Sequence, residues 1–362
     1  MKLKKLAALV VAGALCMSAF TGCGVEPKEP VATLGEQTVT YDLVNFLCKY
    51  QKATSDDLYM AYFGQPIWDY DLTGSGTTME EQLKDSAMSV LHDLYTLKAN
   101  MEKYKVELTN EEKAEIEKVA KAFLEANTQQ ALEELGANEE VVLEMLTLYT
   151  IQAKMFDAIT ADVDRVVKDE DANMRGYSIV SISLDGEYNS KGTYVKYTEA
   201  EIKEIKEKAA KMETALKTNK DLKKVAKEYG FTVSEKAYAK NDTSVTSDIL
   251  KALDALKEGE VSGQVVTKSA IYFVKIDTDT DKEATEENRE SIIAERENKK
   301  YDAIMKQLQK NDGWKVDEKM LDKVDFHHIL TQDDGSTEKE TSAGNKGTEV
   351  EGSETNKGTE SK

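Results

Sequence analysis

The chain has 362 residues, with 48 Lys+Arg against 68 Asp+Glu and a formal net charge of −20. That balance excludes the basic face a nucleic-acid partner needs, and 32% charged against 40% hydrophobic residues excludes a multi-span membrane protein in favour of a helix-rich chain of about two domains. With three Cys and three His, and no Walker, G-x-S-x-G or H-E-x-x-H motif, neither a disulfide framework, a metal site nor a cofactor is expected.

Residues 1–22 stand apart from any folded domain. Lys2, Lys4 and Lys5 form a positive start, and Leu6 to Phe20 an apolar run too short for a comfortable membrane span. The run ends in Phe20-Thr21-Gly22-Cys23, which resembles a bacterial lipobox. The resemblance implies cleavage before Cys23 and lipid on Cys23, since two or three acyl chains hold a protein on a bilayer. An ordinary secretory signal with an incidental Cys is the alternative. Removing three Lys from a charge of −20 leaves −23. Cys48 then lacks a disulfide partner, and its place in the apolar run from Tyr41 predicts a buried, inert thiol.

A tether over residues 23–30 carries Pro27 and Pro30. Val31 to Thr40 predicts two short strands turning at Gly35-Glu36, with Thr40 capping a helix through about Asp56. The aromatic loop from Tyr62 to Tyr70, with Phe63 and Trp68, either packs over the helical core or binds extended polypeptide. Helix is expected from Thr78 to Tyr104. Thr109 and Glu112 spell a capping box that opens a helix to about Asn127. Gly136 ends another helical stretch, and Asn138 caps a helix to about Ile159. Its Val142, Met145, Leu146, Tyr149 and Met155 recur at helical spacing, as core positions do. Together these segments form an N-terminal helical region over 31–170.

Near residue 174 the pattern changes. Tyr177 to Leu184 reads as a strand. Thr198 and Glu201 form another capping box, before a charged helix to about Leu216. Asp221 to Tyr229 is a short helix stopped by Gly230. Thr246 to Leu256 is helical, Gly259 to Gly263 turns, and Ala270 to Asp277 is a strand. Residues 174–280 thus carry the order β-α-α-α-β. A charged helix over 284–310 stops at Asn311-Asp312-Gly313. Trp314-Lys315-Val316 looks like a short strand, and a last short helix ends near Val324. This C-terminal segment, 284–326, is expected to pack on the N-terminal region. Residues 331–362 lack the apolar surface to offset their ordering entropy and are expected to be a disordered acidic tail.

Several stretches in this order carry a family likeness. Val31 to Thr40 resembles the opening hairpin of PrsA-type foldase lipoproteins, which are related in design to the periplasmic SurA chaperones. Leu108-Thr109-Asn110-Glu111-Glu112 resembles that family's recurrent cap. Asp221 to Tyr229 is similar to the parvulin helix F-x-x-L-A-x-x-Y-S. Leu256-Lys257-Glu258-Gly259-Glu260-Val261-Ser262-Gly263-Gln264-Val265 matches L-x-x-G-E-V-S-x-P-V most closely. Lys299 to Val316 resembles the closing segment. The fold implied is α+β: a mainly helical SurA/PrsA-like chaperone lobe built from N- and C-terminal segments, with an inserted parvulin-like β-α-α-α-β domain.

That likeness implies a lipid-anchored foldase on the extracytoplasmic face of a Gram-positive cell membrane. Its partners would be unfolded or partly folded exported polypeptides, with no nucleic acid; monomer and homodimer both stay open. Parvulins isomerise X–Pro bonds with two facing histidines. Here Tyr177 and Tyr272 stand at the matching positions, in Tyr177-Ser178-Ile179-Val180 and Ala270-Ile271-Tyr272-Phe273-Val274-Lys275, and the Gly-rich loop is missing. The two tyrosines either hydrogen-bond across the strands or simply pack in the core. Val245, Ile249 and Phe273 match the apolar substrate pocket. His92, His327 and His328 lie outside the insert, and adjacent His residues beside Asp325 do not make a metal site. A solute-binding lipoprotein would need two lobes of parallel strands, for which strands are too few. A surface adhesin suits only the acidic tail.

Overall fold

The structure, a computed structural model, describes residues 14–15, 25–240, 242–326 and 332–333. Cys23, the His327-His328 pair and nearly all of the tail lie outside the described residues. The fold is α+β and mainly helical, and the chain divides into two compact units. One takes the residues up to 155 and those from 308 onward; the other takes 156–307.

In the first unit, strands Pro30–Leu34 and Gln37–Thr40 form an antiparallel hairpin. The turn needs Gly35, whose φ of 59° is a conformation that side chains with a Cβ rarely adopt. Lys315–Val316 adds to the hairpin's other edge, Lys315 opposite Thr33 and Val316 opposite Ala32, so N- and C-terminal segments share one three-stranded sheet. Helices Tyr41–Phe63, Met79–Ala99, Asn110–Ala126, Gln129–Leu135 and Glu139–Ile159 follow the hairpin, and Glu318–Leu321 follows the last strand. They close over a common core that includes Leu43, Phe46, Leu91, Leu94, Met145 and Leu321. Each such side chain contributes about 1.5–3 kcal/mol through burial.

Local signals set the helix starts. The capping boxes at Thr109/Glu112 and Thr198/Glu201 form, and a third forms at Thr78/Glu81. Asn138 Oδ1 accepts the Val141 amide at 3.0 Å. Thr40 departs from expectation, because its hydroxyl donates to Asp42 rather than taking a helix amide. Asp42 accepts the Leu43 amide at 2.9 Å, and its second oxygen lies 2.8 Å from Lys28 Nζ. A carboxylate there suits the positive end of the helix.

The opening helix runs past the expected stop at Asp56 to Phe63. One reason is polar and buried. Lys52 Nζ lies 2.6 Å from Asp56 Oδ2, one helical turn away, and the Trp68 indole N–H donates to Asp56 Oδ1 at 2.7 Å. Burial holds the Lys52 amine below the usual lysine range, with Asp56 pushing it back up. The aromatic loop therefore splits: Ile67 and Trp68 are buried, while Tyr62, Phe63 and Tyr70 are exposed. Cys48 is buried, and burial pushes its thiol up to about 12.

In the second unit, Val233–Ala239, Met174–Ser183, Ala270–Thr278 and Val265–Val266 lie side by side in that order as one antiparallel sheet. Helices Glu199–Thr218, Leu222–Glu228 and Ser247–Asp254 fall between the two long strands, as the β-α-α-α-β order requires. Val233–Ala239 and Val265–Val266 are additions to that order. A small hairpin, Gly186–Tyr188 with Tyr194–Lys196, precedes the first of these helices. The C-terminal helix, Lys282–Leu308, falls in this second unit up to residue 307, together with residues from 156 onward. Arg289 donates to the Val167 carbonyl at 2.5 Å, Arg296 to those of Asp164 and Val166, and Tyr301 packs on Phe156 at 5.2 Å.

Asp56→Ala would leave the buried Lys52 charge without its main partner. The expected loss is about 3–5 kcal/mol in urea unfolding of the full chain. A loss under about 1 kcal/mol would show that the pair is not a support of this unit.

Candidate functional site

The sheet of the second unit has two buried faces. Register decides their membership: Tyr177 lies opposite Ile276, Ile179 opposite Val274, Val180 opposite Phe273 and Ser181 opposite Tyr272. Side chains alternate along a strand, so these pairs sort into two sets. Helix Ser247–Asp254 covers the face with Tyr177, Ile179, Val274 and Ile276. Helices Glu199–Thr218 and Leu222–Glu228 cover the face with Val180, Ile182, Ile271 and Phe273.

The expected site residues are divided by this arrangement. Tyr177, Tyr272, Val245 and Ile249 share the first face, Ile249 buried and Val245 and Tyr272 half-buried. Phe273 lies on the opposite face, fully buried against Val180 and the neighbours of Met212, so it cannot line a pocket with Ile249. Tyr177 and Tyr272 share a face but do not face each other. The strand residue opposite Tyr177 is Ile276, four positions from Tyr272, or about 13 Å along the strand. A cross-strand hydrogen bond between the two is therefore ruled out. Tyr177 packs edge-on against Tyr238, ring centroids 5.5 Å apart. The side chain across from Tyr272 is Ser181, which no motif marks out.

The unit also opens a crevice of about 860 Å³, bordered by Gly176, Tyr177, Glu235, Asp277, Thr278 and Glu287. Register shifts between Gly176 and Tyr177, a bulge that turns the strand here. A Cβ on Gly176 would sit 2.9 Å from Thr278 Cγ2, so any larger residue here would have to displace that side chain. Of the expected site residues, only Tyr177 borders this crevice. Among the described residues no group of three or more His, Cys, Asp and Glu could hold a metal, and no helix is long and apolar enough to cross a membrane.

The polar centre of the unit is Arg175. Its guanidinium donates to Tyr238 Oη at 2.8 Å, to the Leu253 and Leu256 carbonyls at 3.3 and 2.8 Å, and to Asp279 at 2.6 Å. Tyr238 is buried and donates in turn to Asp254 at 3.3 Å. A cation at the carbonyl end of helix Ser247–Asp254 opposes the helix dipole and fixes the helix over the sheet. Sequence reading missed this cluster because its members are up to about a hundred residues apart. One signal was available: Arg175 is the only charged residue in the strand Met174–Ser183, and a charge entering a buried strand needs partners.

Comparison with known proteins gives the class. Residues 186–287 match the family of the PPIC-type PPIASE domain, so the chain carries a parvulin-type domain. The match includes Tyr272, Val245, Ile249 and Phe273 and begins after Tyr177. Over about 70–80% of its length the chain is also similar to solved structures of PrsA foldases and SurA-like chaperones. The foldase protein PrsA from Lactococcus lactis is 14% identical, with 80% of this chain and 96% of that one covered and a TM-score of 0.32. PrsA from Streptococcus pneumoniae is 21% identical, covering 70% and 96%, with a TM-score of 0.29. A structure from Campylobacter jejuni, from work on the SurA-like chaperones PEB4 and the periplasmic protein Cj1289, is 12% identical, covering 79% and 98%, with a TM-score of 0.28. No curated protein matches the sequence.

Burial pushes the Tyr177 and Tyr238 phenols up, Asp242 adding to the first and Arg175 pulling the second back. Above pH of about 10 the unfolded chain loses protons that the fold retains. Stability is therefore full below pH 10 and falls above it. Tyr238→Phe should flatten that fall in urea midpoints taken from pH 8 to 11, while costing about 1 kcal/mol at pH 8. An unchanged slope would place the alkaline sensitivity elsewhere.

Proposed function

We propose that this protein is a membrane-anchored, extracytoplasmic foldase or chaperone for exported polypeptides, held by lipid on Cys23, with a parvulin-like domain that binds clients without the usual histidine pair. The observation that carries this reading is a PPIC-type match over residues 186–287 in a stretch containing no histidine. In this reading residues 31–170 and 284–326 form the holding lobe, 174–280 the parvulin-like module, 1–22 the signal, 23–30 the tether and 331–362 the acidic tail.

The chemistry follows from what the module retains. Rotation about an X–Pro bond faces a barrier of about 18–20 kcal/mol and takes tens of seconds, long enough to leave apolar segments exposed. Lowering that barrier requires an apolar seat for the proline ring and preorganised polar groups around the twisted amide. Val245, Leu250 and Leu256 supply partly exposed apolar surface beside Tyr272. Tyr272 stands where the family places a histidine, and Tyr177 is turned into the packing against Tyr238. Such a face holds an apolar segment. Covering exposed segments is sufficient to slow aggregation of folding intermediates.

An active isomerase with a different network is the second reading. Its support is the cross-strand pair of hydroxyl side chains, Tyr272 with Ser181.

The test of the first reading is light scattering during refolding of several exported clients, with the full chain in phosphatidylcholine nanodiscs. Scattering should fall by about half or more at a few-fold excess of chain. No suppression with any client would contradict the proposal.

A further inference from the structure

Large apolar side chains stand exposed together in one stretch of the helical unit: Leu58, Tyr62, Phe63, Tyr70 and Leu72. Tyr62 is 78% exposed and Phe63 52%. Leu58 and Tyr62 are one helical turn apart, as are Tyr59 and Phe63, so the helix end presents two adjacent apolar ridges. Clusters of this kind on a soluble surface mark interaction sites.

These rings continue an aromatic ladder that reaches into the core. Phe63 lies 6.3 Å from Tyr59, Tyr59 5.5 Å from Trp68, and Trp68 5.3 Å from Phe326. The buried end of the ladder has already captured an aromatic side chain from a distant part of the sequence. Phe326 meets the Trp68 ring edge-on, and Lys84 Nζ stands 5.6 Å from the centre of its ring. The mode of capture is ring against ring with an ammonium over the face. The outer end offers further rings, exposed to solvent, for the same kind of contact.

The charge around those rings selects the occupant. Between residues 56 and 85 there are seven acids and one base. Asp57 and Asp69 are exposed beside the rings in sequence. Asp71 keeps its carboxylate charged well into acid, because the amides of Gly76, Gly74 and Ser75 donate to it. Cations near aromatic faces gain from the ring quadrupole as well as from the carboxylates.

We propose that the outer end of this ladder, with Tyr62 and Phe63 at its centre, is a docking site for extended polypeptide segments in which aromatic side chains are flanked by Lys or Arg. This rests on the chaperone reading and names its client class.

Fluorescence anisotropy of labelled peptides tests it, using the full chain in phosphatidylcholine nanodiscs. The probes are three twelve-residue peptides, alternating Lys/Phe, Lys/Ser and Glu/Phe with glycine spacers. The Lys/Phe peptide should bind about tenfold tighter than either other peptide. Tyr62→Ser with Phe63→Ser should weaken it about fivefold. Equal binding of all three peptides, or no change in the double variant, would overturn the inference. If the double variant melts early, Asp57→Asn with Asp69→Asn replaces it; that pair should narrow the preference for Lys/Phe over Glu/Phe, and an unaltered preference would overturn the inference too. Client protection that survives in the Tyr62→Ser, Phe63→Ser chain removes this site and leaves the chaperone reading standing. Absence of protection in the unaltered chain removes the chaperone reading itself.

Discussion

The antiparallel register between Met174–Ser183 and Ala270–Thr278 decides which side chains meet in the inserted domain. A slip by one residue would exchange the two faces of the sheet. As it stands, Tyr177, Ile179, Val274 and Ile276 pack under helix Ser247–Asp254, and Val180, Ile271 and Phe273 pack under the two helices on the other side. Arg175 pins the choice at one end. Its five hydrogen bonds join the first strand to Tyr238, to the carbonyls of Leu253 in helix Ser247–Asp254 and of Leu256 just after it, and to Asp279 beyond the last strand. Any binding surface on this domain inherits that geometry: Tyr272 beside Ser181 is available to it, and Phe273 is not.

Much of the architecture was legible because its signals are local. Thr109 with Glu112 and Thr198 with Glu201 are three residues apart, and both boxes form. The strand Lys315–Val316 announced itself between the stop at Asn311-Asp312-Gly313 and a short helix, although its pairing with Pro30–Leu34 did not. Val233–Ala239 was missed because its sequence, Val-Ser-Glu-Lys-Ala-Tyr-Ala, is mostly that of a solvent-facing edge strand with little apolar alternation. The extension of the first helix to Phe63 depends on Asp56 meeting both Lys52 and Trp68, a contact across the turn at Gly64. The candidate site fared worse than the fold. Matching Tyr177 and Tyr272 to histidine positions treats each strand separately, whereas their facing depends on register, which no single strand carries.

The helical unit solves a different problem with a related device. Lys52 and Asp56 are both buried, and such a pair is stable only when the remaining polar sites are filled. The Trp68 N–H does part of that work, and its ring passes the aromatic stack on to Phe326 on one side and Tyr59 on the other. A buried charge thus orients an aromatic series whose far end is exposed. In both units a charged group fixed by several partners positions apolar surface: Arg175 beneath the parvulin-like face, and Asp56 beneath the aromatic ladder. Holding an unfolded polypeptide requires this kind of rigid apolar surface more than it requires a reactive group.

The reading proposed above is that the parvulin-type domain binds without catalysing, and it rests on the absence of histidine from residues 186–287. Prolyl isomerisation of a short X–Pro peptide by the full chain in nanodiscs, followed against empty nanodiscs, tests it most directly. The account predicts relaxation at the uncatalysed rate, tens of seconds at 25 °C or about that. A clear acceleration that disappears on Tyr272→Phe would contradict it and make the Tyr272–Ser181 pair the working centre.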